Sequence, residues 1–537
     1  MGVSHRYWPC IGVTLCSLVF PGAGVCQSPP IKSYAFDITI PDTGNSISAV
    51  ASVRLSPFAA LDTLRLALVS MTVDSVVAAP VECCGSPIPF NYDGRALSLA
   101  LTAQAKALGH LRIFYHGVPK DGLIIRTNAR GRRSAFGDNW PERARYWLPT
   151  LDEPSDKAAV AFIVRVPSDW QVVSNGRLLD RPDPGRRVPF WTWTESRSIP
   201  TYTMVLGGGK FSVSQHRPIV HGPDTIPITV WTYPEDSAFA DSGPFRRATE
   251  IVETMERMVG PFPYEKLAHV ESSTRYGGME NSTAIFYAEK PYVDRRMREG
   301  VVRHETSHQW FGDAVTERDW AHLWLSEGFA SYFDLVIGAA LDGDSVLTAG
   351  MAQDAKDYFA SKVQDRALVD TAEHDPNKLL NENSYQKGAW VLHMLRGMIG
   401  DSAFFRGIRD YYRVYRDSTA VSSDFQHVME RAAGRSLDAF FRQWLWQPGY
   451  PRLDVRWRYD AADHRVRLEI NQTQPEAWGV FRIPLEVEAV STAGAGTRRV
   501  YALDARTTIA YLELDAAPSS IRIDPDGRLL LQSTVTP

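Results

Sequence analysis

His304-Glu305-Thr306-Ser307-His308 sets two imidazoles four residues apart with a carboxylate between them. At about 100° per residue on a helix, the two histidines come within about 40° of one another on one face, about 6 Å apart along the axis. Imidazoles so spaced can share one Zn²⁺, with Glu305 projecting beside them to take a proton from metal-bound water. Two histidines alone hold zinc weakly, so a third ligand is needed. Glu327 stands nineteen positions after His308, in Trp324-Leu325-Ser326-Glu327-Gly328 on the next helical run. A short turn between two antiparallel helices would bring its carboxylate to the histidine pair. With 13 histidines in 537 residues, chance supplies only about 0.02 such pentapeptides, and about 0.001 once a glutamate at one fixed later position is required.

These residues need elements to hold them. From Ile31 to about Phe211 the chain alternates apolar and polar residues, as in Tyr34-Ala35-Phe36-Asp37-Ile38-Thr39-Ile40. Turn residues punctuate the alternation, which predicts a sandwich or a large antiparallel sheet. From about Asp241 to Tyr450 the spacing turns helical, over Ala248–Val259, Val301–Gly312, His322–Leu341, Tyr385–Ile399 and Ser423–Trp446. Alternation returns from Leu453, predicting a small C-terminal β-sandwich. The expected division is a leader at 1–27, an N-terminal β domain at 28–212, a catalytic domain at 213–450 and the sandwich at 451–537. There is no internal repeat and no low-complexity segment.

The composition excludes several classes. Hydrophobic residues make up 44% and charged residues 22%, which is ordinary for a folded chain. A formal net charge of −4 without basic runs gives no electrostatic reason for a nucleic-acid partner. No apolar run reaches the length of a membrane-spanning helix. His5 and Arg6, the apolar stretch Ile11–Phe20 and Pro21-Gly22-Ala23-Gly24 follow the order of a secretory signal, which predicts export. Cys26 leaves lipid anchoring as the lesser alternative. Removal of the leader would take Cys10 and Cys16 with it. Cys83 and Cys84 are adjacent, so no structural disulfide is expected.

The stretch from His304 to Gly312, followed by Trp324 to Tyr332, resembles the M1 zinc aminopeptidases, a gluzincin family. Gly277-Gly278-Met279-Glu280-Asn281 is similar to that family's exopeptidase motif, and Tyr385-Gln386-Lys387-Gly388-Ala389 to the segment carrying its transition-state tyrosine. Leu148 to Pro154, with Lys157-Ala158, resembles its N-terminal-domain signature. The resemblance implies a multidomain α+β chain: an N-terminal antiparallel β domain, a thermolysin-like, mostly helical zinc domain and a small C-terminal β-sandwich. It implies one Zn²⁺ on His304, His308 and Glu327, with Glu305 as base and Tyr385 donating to the carbonyl oxygen in the transition state. Glu280 would pair with the substrate's α-ammonium, within a binding strand of Gly277, Gly278, Met279, Glu280 and Asn281. Gly277 and Gly278 would let an edge strand approach the substrate backbone. Substrates would be peptides with free N-termini.

The match has departures. The family's second amine contact, a Gln or Glu, falls near Asp138, Asn139, Trp140 and Glu142, which leaves that contact open, with Asp138 as a substitute. His322 stands where an acidic residue is common. Asp313, His322 and Asp334 lie near the metal helices as candidates to steady the ligands. Many family members continue into a long helical domain; the β pattern after Tyr450 predicts a more open site, or one closed by a partner subunit. Two other readings keep the same residues. One is an endopeptidase or a non-peptide (epoxide-type) hydrolase, and the other an inactive peptide-binding scaffold. The presence of Glu280 argues against the first, and the intact set of ligands and base against the second.

Overall fold

Alternation drives the first part of the chain into sheet. In strand β1 (Ile31–Thr39), Tyr34, Phe36 and Ile38 are buried and the residues between them are half-exposed. The structure is a computed structural model that describes residues 30–57, 61–79, 85–182, 190–491 and 496–537. The expected leader and all five cysteines lie outside those residues. Strand β1 pairs antiparallel with β2 (Ile47–Leu55) and parallel with β3 (Lys157–Arg165), Ser33 opposite Ala159 and Thr39 opposite Arg165. The eight-stranded sheet around them is the large antiparallel sheet the sequence predicts, with this one parallel pair inside it. A parallel neighbour needs a long crossover, and the residues between β2 and β3 supply it.

The central region is not helical throughout. Five strands form a sheet in the order Ser212–His221, Asp224–Thr232, β4 (Leu267–Ser272), Ala284–Ala288 and, outermost, Gly278–Met279. Strand β5 (Gly278–Met279) pairs antiparallel with β6 (Ala284–Ala288), Gly278 opposite Tyr287 and Met279 opposite Phe286. Every residue of β4 is buried, as expected of a strand covered on both faces.

Helices pack beside this sheet. Helix α1 spans Glu299–His308 and α2 spans Trp324–Asp342. Between them runs the short strand β7 (Val315–Glu317). Helix α2 buries Trp324, Leu325, Phe329, Phe333 and Ile337 on several sides, so it is a core helix with neighbours most of the way round. A π-helical turn, Asn383–Lys387, leads into α3 (Gly388–Ile399). Strand β8 (Ser418–Ala420) pairs in parallel with β7, Val315 opposite Ser418. The helical run expected at 423–446 is two helices, α4 (Ser422–Ala433) and α5 (Asp438–Trp446). Gly434, at φ 66°, ends α4 in the left-handed region and breaks the run.

The C-terminal part is a sandwich of a four-stranded and a three-stranded sheet. Its base packs on the central region through Tyr450 against Trp478 (5.4 Å between ring centres), and Trp478 Nε1 donates to Asp365 Oδ1 at 2.7 Å. Among the described residues, no helix is long and apolar enough to cross a membrane.

Candidate active site

Helix α1 carries His304 and His308 on one face, their rings 4.8 Å apart and nearly perpendicular. Helix α2 packs alongside and delivers Glu327 to the same point. His304 Nε2 and His308 Nε2 lie 3.1 Å apart, and each is 3.4 Å from Glu327 Oε2. Ligands about 2.1 Å from a tetrahedral ion sit about 3.4 Å from one another, so this triangle has the dimensions of three zinc ligands. Glu327 Oε2 is buried and accepts no hydrogen bond, which keeps a lone pair directed at the centre. The three residues form a candidate mononuclear metal site, and an N₂O donor set suits zinc.

The turn after α1 steadies this arrangement. His308 Nδ1 lies 3.1 Å from the Phe311 carbonyl, which can only accept, so Nδ1 carries the proton and Nε2 keeps its lone pair for a metal. Ser326 Oγ stands 3.0 Å from the same Nδ1. Gly312, at φ 118°, allows this contact, because a β-carbon there would fall 2.4 Å from Ser326 Oγ and 3.0 Å from His308 Nδ1. Sequence reasoning missed Phe311, Gly312 and Ser326. Their signal was present in the Trp310-Phe311-Gly312 and Ser326-Glu327 stretches, but it becomes readable only once the turn is known.

The residues expected to steady the ligands do other work. The Asp313 carboxylate accepts from Gln309 at 2.8 Å, His322 Nδ1 lies 2.8 Å from Ser422 Oγ, and Asp334 pairs with Arg303 Nε at 2.7 Å. Asp138, the candidate for the second amine contact, is buried against Arg143 Nη2 at 2.9 Å. Asn139 bonds the Met204 carbonyl and Trp147 Nε1, and Glu142 bonds Arg145 and Trp320 Nε1. Trp140 packs edge-on against Tyr276 and Trp320.

Glu305 is buried beside strand β5. A β-carbon at Gly278 would stand 2.0 Å from Glu305 Oε1, so this glycine makes room for the carboxylate itself. At Gly277 a β-carbon would meet nothing within 4 Å. Strand β5 forms the sheet edge, with Met279 and Asn281 buried behind it. Glu280 is buried next to them, with the Tyr202 hydroxyl near its carboxylate. Burial raises the Glu280 pKa, His308 opposes the rise and the Glu327 charge adds to it. Burial also raises Glu305 well above the carboxylate range, and lifts Glu317 to about 8. Glu280, Glu305, Asp313, Glu317 and Glu327 thus crowd one buried volume, where a divalent cation would offset their repulsion. Tyr385 lies on the π-helical turn with its ring stacked on that of His304, 6.0 Å between centres and 15° between planes.

The sequence comparisons agree with this geometry. The chain matches the Peptidase family M1 domain over residues 245–444 and the Peptidase M1 N-terminal domain over residues 32–203. It belongs to peptidase family M1 and has that family's gluzincin domain architecture. Among its relatives, probable aminopeptidase 2 of Sulfurisphaera tokodaii is 28% identical over 84% of this chain and 58% of its own length. Leucyl aminopeptidase of Saccharolobus solfataricus is 27% identical over 70% of this chain and 47% of its own. The chain thus spans about half the length of these relatives. In fold it is similar to Legionella pneumophila aminopeptidase A, with TM-score 0.78 and 17% identity over 95% of this chain and 60% of that one. It is also similar to the M1 zinc metallopeptidase of Deinococcus radiodurans, with TM-score 0.66 and 24% identity over 78% of this chain and 94% of that one.

Proposed function

We propose that the protein is a zinc aminopeptidase that hydrolyses the first peptide bond of peptides with a free N-terminus. The observation that carries this reading is the buried Glu280 carboxylate fastened beside the metal triad. An anion at a fixed distance from the metal selects the bond next to an α-ammonium, and an enzyme acting within a chain has no use for it. His304, His308 and Glu327 would hold the zinc ion, which when bound polarises the scissile carbonyl and makes water a stronger acid.

The remaining roles belong to the chain's own groups. Glu305 takes the proton of the attacking water and returns it to the leaving amine. Burial, with the charges of Glu327 and Glu280 beside it, holds the Tyr385 hydroxyl in its protonated form. It can therefore donate a hydrogen bond to the oxygen that gains charge in the transition state. Glu280 takes the ammonium. Strand β5, at the edge of its sheet, offers backbone groups to an extended peptide.

The test is a panel of aminoacyl chromogenic amides, each with a free and an acetylated amine, given to the zinc-loaded protein. Cleavage of the free-amine forms alone is the expected result. Equal cleavage of both forms would replace this reading with a broader hydrolase. No cleavage in a folded, zinc-containing sample would leave a non-peptide substrate or a binding role.

We also propose export, carried by the signal-like order of residues 1–27. Mass spectrometry of the secreted or periplasmic protein should find a new N-terminus close to Gln27. Recovery of the intact Met1 form from the cytoplasm would count against export, and a lipidated Cys26 would select the anchored alternative.

A further inference from the structure

Gln309 follows the ligand His308 directly and is fully buried at the end of α1. Its side chain makes three hydrogen bonds. Nε2 donates to the Glu280 carbonyl at 2.8 Å and to Asp313 Oδ2 at 2.8 Å, and Oε1 accepts from the Thr283 N–H at 2.8 Å. Two acceptors on one side and a donor on the other fix the amide in one orientation. The helix end does not need this side chain, because the backbone N–H of Gln309 already bonds the Thr306 carbonyl. Two of the three bonds reach across to the turn between β5 and β6, where Thr283 sits at φ 66°. That turn carries Glu280.

We propose that Gln309 is a positioning residue that sets the span from the Glu280 carboxylate to the metal ligands, and thereby which bond, counted from the amine, meets the metal. This rests on the aminopeptidase reading. Strand β5 and the turn after it, which is also bonded to Asn175, Gly176 and Lys266, meet α1 and its C-terminal end at two places. At Gly278 it is packed on Glu305, where any side chain would collide, and at Glu280 and Thr283 it is bonded to Gln309. One contact point would let the strand pivot, whereas two fix its position along the helix. His308 and Gln309 are consecutive, so the ligand and the strut move as one piece. A displacement of about 1 Å between reacting groups costs about a hundredfold in rate, which makes such a strut consequential.

The test compares binding of leucine hydroxamate and N-acetyl-leucine hydroxamate to the zinc-loaded full chain by titration calorimetry. The first carries an ammonium and a zinc-binding group; the second lacks the charge. Wild type should bind the free amine at least about tenfold more tightly. Gln309→Glu keeps the acceptor for Thr283 but sets an oxygen against the Glu280 carbonyl and the Asp313 carboxylate, and Gln309→Met removes all three bonds. Both should shrink the gap by about tenfold and leave the acetylated compound's affinity unchanged. Asp313→Asn, placed in the Gln309→Glu protein, should restore part of the gap by giving the new carboxylate a donor.

A gap kept in both variants would overturn the proposal. So would an equal loss of affinity for both compounds, or failure of both variants to fold with zinc, since each would make Gln309 a support of the fold alone. If only Gln309→Glu fails to fold, Gln309→Met decides. A wild type with no gap would instead sink the aminopeptidase reading, and this inference with it.

Discussion

Glu305 fills the space a β-carbon at Gly278 would need, so its amide isostere fits the same cavity. Glu305→Gln should therefore keep zinc and fold while losing about 10²–10⁴-fold in turnover, as removal of a general base does. Retained turnover at full zinc content would assign the proton transfer to another group. Ser326→Ala should weaken zinc about tenfold, near the low end for a group that holds a ligand, because the Phe311 carbonyl still fixes His308 Nδ1. Competition with a chromophoric chelator measures this, and unchanged affinity would show that Ser326 is only packing. At this scale the sequence was most legible where chemistry imposes a spacing. His304, His308 and Glu327 converge as their separation predicts, because a helical repeat and one turn are enough to place them. Gln309, Tyr202 and Ser326 were not legible. Their partners are chosen by where a strand turn and a second helix come to rest, and no local pattern encodes that.

At the scale of elements, α2 and α3 meet backbone to backbone at a pair of glycines. A β-carbon at Gly328 would stand 2.8 Å from Gly388 Cα, and one at Gly388 2.9 Å from Gly328 Cα. Gly328 follows the ligand Glu327, and Gly388 follows the turn that bears Tyr385, so this contact sets how near the tyrosine comes to the metal. Gly328→Ala should cost about 1–3 kcal/mol of stability by overpacking. It should also lower kcat with zinc content unchanged; normal kcat with the expected loss of stability would separate the packing from the chemistry. In the N-terminal sheet, the Asp156 carboxyl is buried, accepts from the Tyr34 hydroxyl at 2.8 Å and has no partner at Oδ1. Burial raises its pKa to about 7. The folded chain holds this proton between pH 4 and 7 while the unfolded chain releases it, so stability from this group is full below about pH 4 and falls as pH rises to about 7. Asp156→Asn should flatten the fall in Tm across that window, and an unchanged slope would place the titration elsewhere. The succession of strands, helices and strands could be read from periodicity. The parallel pairing of β1 with β3 could not, because alternation specifies a strand's faces and says nothing of its neighbour.

Across the whole molecule, Lys157 fastens the β domain to the catalytic region. The three N–H groups of its buried ammonium are shared among the Asp313 carbonyl (2.7 Å), the Ala314 carbonyl (2.9 Å), Thr316 Oγ1 (2.9 Å) and the Ser418 carbonyl (3.2 Å). Burial lowers its pKa to about 7 against the pull of Asp417, Asp313 and Glu317. Lys157→Met removes these bonds to a charged donor, about 1.5–3 kcal/mol each, while the Asp313 carbonyl keeps Thr316 Oγ1 and the Ala314 carbonyl keeps the Asp417 N–H. Heat should then loosen the β domain before the helices, seen as separate transitions by near-UV and far-UV circular dichroism. A single coincident transition would show that the apolar interface suffices. The same lysine joins segments 261 positions apart, and β8 is the strand that clamps the stretch between the two metal helices. During synthesis the ribosome releases His304, His308 and Glu327 well before Ser418, so every ligand is in solution while its clamp is still unmade. A nascent chain halted ahead of that strand would own the full ligand set and lack the fastening that aligns it. Stable metal uptake is then expected only after translation has passed β8, not once the motif has been made.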